Sequence, residues 1–299
     1  HADDWFGLGV IGLPVPGGAR FAVSSEKGVV AAYSGNLYGF QRVAEQLSGR
    51  TKDTAARIAE IYSAAPRELT GALNGSFNAA VFDLTRKEAV IWNDRLGHHQ
   101  LYYFEDEHLF LFAGEYKAFL PYEHFSARLD SEGVLDYFNF KMILGDKTLL
   151  RGVKRLRWAR KVQFRDSRIS IAPWWEYQFP EESRQSTSEL IDEAHDLYQQ
   201  NVKAQCSDYD HVIVPLSGGL DSRMVLAHVR EAGFQPHTFC HGQSQSAEVK
   251  LAAQVARAAG PQARVDRGGR RLWDEPGLLE PGHHGPRLAD GVLGHGVEG

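Results

Sequence analysis

The feature that most constrains the fold of this chain is a loop with two adjacent glycines, set between a strand pattern and a helix pattern. Residues 212–216 are apolar and rich in β-branched side chains, which is typical of a buried strand. Residues 224–229 follow a helix pattern, and Gly233 is placed to end it. The loop between them reads Ser217-Gly218-Gly219-Leu220-Asp221-Ser222. Strand and helix patterns continue to alternate as far as residue 259, which favours a doubly wound parallel sheet.

The residue types of this loop suit the binding of a phosphate group. Gly218 and Gly219 leave backbone N–H groups uncovered at the positive end of a helix dipole. Ser217 and Ser222 add hydroxyl donors, and Asp221 offers a carboxylate to a hard cation such as Mg²⁺. The simpler alternative is an ordinary turn in which serine or aspartate caps the helix. The loop has no lysine, so it differs from the Gly-x-x-x-x-Gly-Lys loop of common nucleoside triphosphatases.

Length and composition are those of a soluble globular protein of about two domains. The chain has 299 residues, of which 43% are hydrophobic and 24% charged. A net charge of −5 predicts neither nucleic acid nor an anionic membrane as a partner. The two cysteines, Cys206 and Cys240, have no CxxC spacing, which favours a reducing compartment. Without a long apolar run or a signal-peptide pattern, we expect a cytoplasmic protein.

The first half of the chain carries strand patterns at hairpin spacing, interrupted by helix patterns. The predicted helices cover residues 38–47, 51–64 and a stretch that begins at the cap Asp130 and runs to residue 140. Strands followed by helices and strands again predict antiparallel sheets covered by helices. The predicted strands cover residues 7–12, 20–24, 28–33, 77–82, 89–92, 100–104, 109–113, 158–164 and 168–172.

Longer motifs resemble those of a known family. The loop at residues 217–222 matches the signature of PP-loop ATP pyrophosphatases. Ahead of it, residues 73–83 (LNGSFNAAVFD), 93–103 (NDRLGHHQLYY) and 112–120 (FAGEYKAFL) resemble the segments LNGxFAFAxxD, RDRxGxKPLYY and FASExKALL of asparagine synthetases. The chain is therefore similar to asparagine synthetases over most of residues 5–265.

The resemblance implies a combined α+β and α/β fold in two domains. Residues 1–180 would form a glutamine amidotransferase-like domain of class II, an αββα sandwich of the Ntn-hydrolase type. Residues 186–299 would form an incomplete ATP-binding synthetase domain, built on part of a doubly wound parallel sheet of the PP-loop type.

The glutaminase site of that family is altered here. The family's nucleophile is an N-terminal cysteine in CGIxG, and the best match places Phe6 at that position. A phenyl ring cannot attack an amide carbonyl. In the oxyanion-hole segment NGExYN, Ser34 replaces the asparagine, and the RGPD segment is not recognisable. We therefore expect the first domain not to hydrolyse glutamine.

Other candidate clusters are assigned structural roles. His98 and His99 are expected in a solvated turn, and the carboxylates Asp94, Glu105, Asp106 and Glu107 on a hairpin surface. His237 and His241 would share one face of a strand while Cys240 points away, so no metal site is predicted there.

The second half opens with a helix and closes with an atypical stretch. Ser186-Thr187-Ser188-Glu189 is a capping box, and its helix places Leu190, Ala194, Leu197 and Val202 roughly on one face. Residues 246–256 resemble the family helix E/DxxxAxxVAxxxG, and the resemblance implies that the strand at 237–241 and the turn after it flank the adenosine. Residues 267–299 are rich in Gly, Pro, Arg and His. They are either a non-native tail or, at 289–299, a distant match to a second glycine-rich phosphate loop, and the family's catalytic lysine and acceptor pocket are expected to be absent.

The resemblance implies an ATP-dependent enzyme that releases AMP and pyrophosphate and forms an amide. It would adenylate a small carboxylate and transfer nitrogen to it, from ammonia rather than glutamine, and a homodimer is possible. ATP would bind at Leu216, Ser217, Gly218, Gly219, Asp221 and Ser222, with Asp221 as Mg²⁺ ligand and catalytic residue. Two alternatives stay open: a ligase like β-lactam synthetase or a peptide cyclase that uses a substrate amine, and a non-catalytic nucleotide-binding fragment.

Overall fold

The computed structural model describes residues 2–3, 6–8, 20–24, 28–38, 40, 54–166, 168–179, 183–207, 209, 211–243, 245–260 and 266–267. Most of the helix predicted at 38–47, most of the strand predicted at 7–12, and the stretch 268–299 lie outside these residues. The chain divides into two units, residues 1–179 and 180–299. Each unit is described by itself.

The first unit is built on a six-stranded antiparallel sheet with the strand order β11-β10-β6-β5-β4-β3. Its centre is the pairing of β4 with β5, which runs from Val29 opposite Asp83 to Leu37 opposite Gly75. Nearly every residue of β5 is buried, because the strand lies inside the sheet and both faces are covered. The strands of this sheet are β3 (Arg20–Ser24), β4 (Val29–Leu37), β5 (Gly75–Asp83), β6 (Glu88–Asn93), β10 (Arg160–Arg165) and β11 (Arg168–Pro173).

Alternation along β5 divides the core into two layers. Phe77, Ala79 and Val81 face one side, where they pack with α1 (Thr54–Ala64) and α2 (Pro66–Ala72). Ala80 and Phe82 face the other side, towards a second sheet. That sheet has the order β8-β7-β9, with β7 at Tyr102–Glu105, β8 at Phe110–Ala113 and β9 at Lys154–Arg155.

The outer face of the second sheet is covered in turn. Alternate residues of β7 and β8, such as Phe104 and Leu111, pack with Phe119, Phe125 and Val153. Phe119 ends a short 3-10 helix at Tyr116–Phe119. The layers therefore run from helices through two antiparallel sheets to this outer segment, and the predicted α+β sandwich is confirmed. A further pair of short strands, β1 (Ala2–Asp3) and β2 (Phe6–Gly7), is antiparallel.

Local signals placed most elements within a few residues of their observed ends. The side chain of Asp130 accepts a hydrogen bond from the backbone N–H of Gly133 and caps α3 (Ser131–Phe140), as predicted. The sequence pattern ended the earlier helix before Pro66 and missed α2. Pro66 is the first residue of that helix, a position where the missing N–H costs nothing.

The second unit contains a three-stranded parallel sheet of β12 (Ile213–Pro215), β13 (His237–Cys240) and β14 (Asp266–Arg267), in that order. The crossovers are α5 (Leu220–Glu231) and α6 (Ala247–Ala259), and α4 (Thr187–Cys206) precedes the sheet. Alternate residues Val212, Val214 and Leu216 pack with side chains of all three helices. This confirms a parallel sheet with helical crossovers, whose described part has these helices on one face.

The helix α4 begins with the predicted capping box but buries less than its pattern suggested. The Ser186 side chain accepts from Glu189, and the Glu189 side chain accepts from the Ser186 backbone. Leu190 and Leu197 remain 43% and 52% exposed, whereas Val202 packs against the core. A helix of 20 residues is about 30 Å long, whereas strands of two to four residues reach only about 13 Å. The sheet therefore covers the last turns of α4 and not its first ones.

Asp94 is not on a hairpin surface, contrary to the sequence-based expectation. It is 0% exposed, and its carboxylate accepts hydrogen bonds from the backbone N–H groups of Leu96, His98 and His99 at 3.0, 3.1 and 2.8 Å. A buried carboxylate requires such donors, and the turn that follows Asp94 supplies them. Glu105 and Glu107 are exposed, as expected. None of the described helices is both long enough and apolar enough to cross a membrane.

We predict that Asp94→Ala destabilises the first unit by about 3 kcal/mol, because three backbone N–H groups lose a charged acceptor that is itself fully buried. Urea unfolding followed by tryptophan fluorescence measures this loss. Asp106→Ala is the matched control, since Asp106 also accepts three hydrogen bonds, from the N–H groups of His108 and Leu109 and from the Tyr122 hydroxyl, in a more exposed turn. Equal unfolding midpoints for the two variants would contradict the structural role given to Asp94.

Candidate functional site

The glycine-bearing loop leaves the sheet at the carboxyl end of β12. The backbone N–H of Leu216 donates to the carbonyl of Phe239 at 2.8 Å, which extends the pairing with β13 up to the start of the loop. The Leu216 side chain is 1% exposed and belongs to the core. Leu216 therefore positions the loop, and only its backbone is available for contact with a ligand.

Gly218 is the residue around which the loop turns. Its φ angle of +79° lies in the left-handed region that favours glycine. A Cβ atom at this position would lie 3.1 Å from Cγ of Leu251 and 3.2 Å from the backbone nitrogen of Ala252. Both residues belong to α6, so the loop rests against that helix. No side chain fits at Gly218 without moving the loop or the helix.

The two serines of the loop are joined to each other. The hydroxyl oxygens of Ser217 and Ser222 lie 3.1 Å apart, and the Ser217 N–H donates to the Ser222 hydroxyl at 3.3 Å. The N–H of Gly219 donates to the Ser217 hydroxyl at 3.3 Å. These contacts hold the loop in a closed turn over the start of α5. They also place both predicted hydroxyl donors on the same side of the turn.

The first turn of α5 supplies uncommitted backbone donors. The helix ladder starts with the Arg223 N–H donating to the Gly219 carbonyl at 3.3 Å. The N–H groups of Leu220, Asp221 and Ser222 therefore have no acceptor within the helix. They lie at the positive end of its dipole, where an anion is favoured. The loop thus combines backbone donors, hydroxyl groups and a place that only glycine can fill.

Asp221 lies in this first turn and is exposed. Burial raises the pKa of the Tyr198 hydroxyl, and the negative charge of Asp221 raises it further. Asp221 therefore lies near Tyr198 and beside the predicted phosphate position. An exposed carboxylate is the kind of oxygen ligand that Mg²⁺ accepts, so the residues present fit a phosphate with its cation.

Phe6, which the sequence resemblance places at the nucleophile position, packs against the core between the two sheets of the first unit. Its ring stacks on Phe82 with centroids 4.3 Å apart and an interplanar angle of 14°. Ser34, at the altered oxyanion-hole segment, lies within β4 opposite Asn78. Both positions therefore serve the sheet framework.

Neither cysteine of the second unit can act as a substitute nucleophile. Cys206 and Cys240 are each 4% exposed. Burial raises the pKa of the Cys206 thiol to about 11, and burial together with Glu248 raises the pKa of Cys240. A thiol with a raised pKa stays protonated at neutral pH, and the thiolate is the reactive form.

The structure also brings together a group that sequence reasoning missed. One potential ligand atom from each of His195, His228 and Glu231 lies within 4.8 Å of the others. His228 and Glu231 are three positions apart on α5, but His195 lies on α4, 33 positions before His228. The spacing of His228 and Glu231 on one helix is by itself a weak indication of a metal site. The third residue, His195, joins them only because α4 packs against α5. Among the described residues, neither the pair His98 and His99 nor the set His237, Cys240 and His241 forms such a group.

Both halves of the chain are similar to known protein families. The sequence profile of the glutamine amidotransferase domain matches residues 8–175, and that of asparagine synthase matches residues 193–265. Asparagine synthetase [glutamine-hydrolyzing] 3 of Bacillus subtilis is 28% identical over 241 residues, which is 76% of this chain and 39% of that protein. Amidase chry2 of Gibberella zeae is 25% identical over 258 residues, which is 82% of this chain and 37% of that protein.

The match to solved structures is weaker. A glutamine phosphoribosylpyrophosphate amidotransferase from B. subtilis, solved with ADP and GMP, has a TM-score of 0.38 at 10% identity, over 91% of this chain and 69% of that one. So low a score defines neither fold nor function.

The two profiles meet in one class of proteins, the amide-forming ligases and amidotransferases. The chain belongs to the asparagine synthetase family, with a glutamine amidotransferase domain followed by an asparagine synthase domain. It spans about two fifths of the length of the curated relatives it matches.

We predict that Gly218→Ala disturbs the loop far more than Gly233→Ala does. Gly233 also has a positive φ, +91°, but a Cβ there meets nothing within 4 Å. Both variants carry the backbone cost of about 1 kcal/mol, and only Gly218→Ala adds the clash with α6. Thermal unfolding of both variants measures the difference. Equal losses of stability would show that α6 does not confine the loop.

Proposed function

We propose that this chain provides the nucleotide-binding part of an ATP-dependent ligase that forms an amide, with AMP and pyrophosphate as products. The observation that carries the proposal is the Ser217–Ser222 loop at the carboxyl end of a parallel strand, followed directly by the N-terminus of α5. Crevices at the carboxyl ends of parallel strands are where α/β sheets bind ligands. The asparagine synthase match over residues 193–265 supports ATP as that ligand.

In this proposal each part of the loop has a defined task. The N–H groups of Leu220, Asp221 and Ser222 bind the β and γ phosphate oxygens, and the hydroxyl groups of Ser217 and Ser222 exchange their mutual contact for phosphate contacts. Gly218 and Gly219 allow the phosphates to approach the backbone. The Leu216 backbone, at the end of β12, borders the adenosine. These contacts orient the α phosphate towards a carboxylate substrate and stabilise the departing pyrophosphate.

Asp221 is the residue of this loop that would hold a divalent cation. A carboxylate in the first turn of α5 repels the phosphate charge that the helix N-terminus attracts. A cation held by Asp221 would offset this repulsion and would supply positive charge for the pyrophosphate that leaves. The proposal therefore assigns Mg²⁺ to Asp221, and it names Asp221 as the catalytic residue.

The proposal predicts that Asp221→Asn abolishes Mg²⁺-dependent ATP binding while leaving the fold intact. We expect a loss of at least about 30-fold in affinity, or about 2 kcal/mol, in isothermal calorimetry with saturating Mg²⁺. Asp192→Asn, an exposed carboxylate on α4, is the matched control and should bind as the wild type does. Unchanged ATP binding in Asp221→Asn would refute the assignment of the cation to this residue. Absence of ATP binding by a folded wild type would contradict both the ligase proposal and the nucleotide-binding alternative.

We further propose that the nitrogen comes from ammonia or from an amine of the substrate, and not from glutamine. The support is the stacking of Phe6 on Phe82 at the position of the nucleophile, with both cysteines buried in the other unit. Glutamine bound at such a site would form no acyl-enzyme with residue 6, because a phenyl ring cannot attack the amide.

An assay with three nitrogen sources tests this second proposal. Pyrophosphate release with ATP and a small carboxylate such as aspartate is measured with no added nitrogen source, with ammonium and with glutamine. Amide formation that requires ammonium supports the asparagine synthetase-like reaction, whereas a substrate that carries its own amine and needs no ammonium supports the ligase alternative. Release of glutamate from glutamine would contradict the proposal in either form.

A further inference from the structure

We propose that His195, His228 and Glu231 form a binding site for a transition-metal ion of the Zn²⁺ type, which joins α4 to α5. In the described part of the chain this is the group of three histidine, cysteine or acidic residues whose ligand atoms lie within 4.8 Å of one another. Two imidazoles and one carboxylate are a donor set that Zn²⁺ accepts, with positions left for water. The inference does not depend on the proposed ATP reaction.

The spacing of the two imidazoles matches a shared ion. Nε2 of His228 and Nδ1 of His195 are 3.2 Å apart. Two nitrogen ligands at 2.0–2.1 Å from a tetrahedral zinc ion are about 3.3 Å apart. The helices therefore already hold these nitrogen atoms at the separation that coordination requires.

The tautomer of His228 is suited to metal binding. Its Nδ1 lies 2.9 Å from the carbonyl oxygen of Met224, one turn earlier on α5. A carbonyl oxygen only accepts, so Nδ1 carries the proton and Nε2 keeps its lone pair for a ligand. Hydrogen bonding of the second ring nitrogen to a backbone carbonyl is the usual support of a metal-bound histidine.

Glu231 completes the group from the same face of α5. It follows His228 by three positions, so the two side chains project in the same direction. One oxygen of Glu231 lies 3.7 Å from Nε2 of His195, whereas Nδ1 of the same ring faces His228, so the Glu231 carboxylate or the His195 ring must turn to bind the same ion. The side chains of His195 and Glu231 are 47% and 55% exposed. Both side chains can therefore adjust towards an ion without disturbing the core.

The position of the group indicates a structural role. It lies about 10 Å along α5 from Asp221, well away from the phosphate loop. The first turns of α4 are exposed and contribute little to the core. An ion bound between the helices would fix α4 against α5, whose N-terminus carries the loop. Tyr198, which packs against His228 with ring centroids 4.6 Å apart, would be held in place as well.

A second pair of histidines provides the control. The rings of His108 and His124 are 4.8 Å apart, and each lies near the glutamate that precedes it, at 3.6 and 3.7 Å. These side chains are about as exposed as His195, at 54% and 51%. They do not converge as a group of three ligands within the described residues. Two histidines lie close to an acidic side chain at both places. Three potential ligand atoms come within 4.8 Å of one another only at His195, His228 and Glu231, among the described residues.

The test is a titration of the full chain with Zn²⁺, in an excess of Mg²⁺ that occupies carboxylate sites such as Asp221. We expect one Zn²⁺ per chain by calorimetry, a rise in the unfolding temperature, and tetrahedral d–d absorption when Co²⁺ replaces Zn²⁺. His195→Ala and Glu231→Gln should each weaken Zn²⁺ binding at least tenfold and remove the rise in unfolding temperature. His108→Ala should change neither.

Two results would overturn the proposal. One is the absence of stoichiometric Zn²⁺ binding by the folded wild type. The other is equal Zn²⁺ affinity in the wild type and in His195→Ala, because His195 is exposed and its loss leaves the core intact. In both cases the group is only a hydrogen-bonded histidine pair beside an acid. Zn²⁺ binding is measured without ATP, so this outcome is independent of the proposed ligase function.

Discussion

The close contact between Gly218 and the helix α6 is the constraint on which the candidate site depends. The loop leaves β12 where Leu216 is still paired with Phe239, turns through a left-handed glycine, and enters α5 after one further residue. Since α6 leaves no room for a Cβ at Gly218, the path of the backbone is fixed from both sides. The consequence is a set of N–H groups held at one end of α5 before any ligand arrives. Such preorganisation is what phosphate binding by backbone requires.

The residues at the two predicted sites of the chain have different structural roles. In the first unit, residues at the positions of a glutaminase site serve the framework, as Phe6 does by stacking on Phe82. In the second unit, the residues of the loop contribute almost nothing to the core, apart from Leu216, and are free to meet a ligand. The side chain of Phe6 thus contributes to packing in the first unit, whereas the side chains of the loop in the second unit are available for binding.

Much of the fold was accessible from the sequence because its signals are local. The largely apolar run at residues 77–82 matches a strand with both faces buried, and the caps at Asp130 and Ser186 act within four residues of themselves. The loop residues Ser217 to Ser222 were found in the same way. The environments of Asp94 and Leu197 were not, because burial there depends on which distant segments cover them. The group of His195, His228 and Glu231 was missed for the same reason, since its members meet only when α4 packs on α5.

The central claim is that the backbone of residues 218–222 binds the phosphates of ATP. Nuclear magnetic resonance of the ¹⁵N-labelled chain, titrated with ATP and Mg²⁺, tests it most directly. The account predicts saturable shifts of the amide signals of Gly218, Gly219, Leu220, Asp221 and Ser222, with smaller changes at the end of β13. Saturable shifts elsewhere that leave these five amides unmoved would contradict it, and the loop would then be an ordinary capped turn between a strand and a helix.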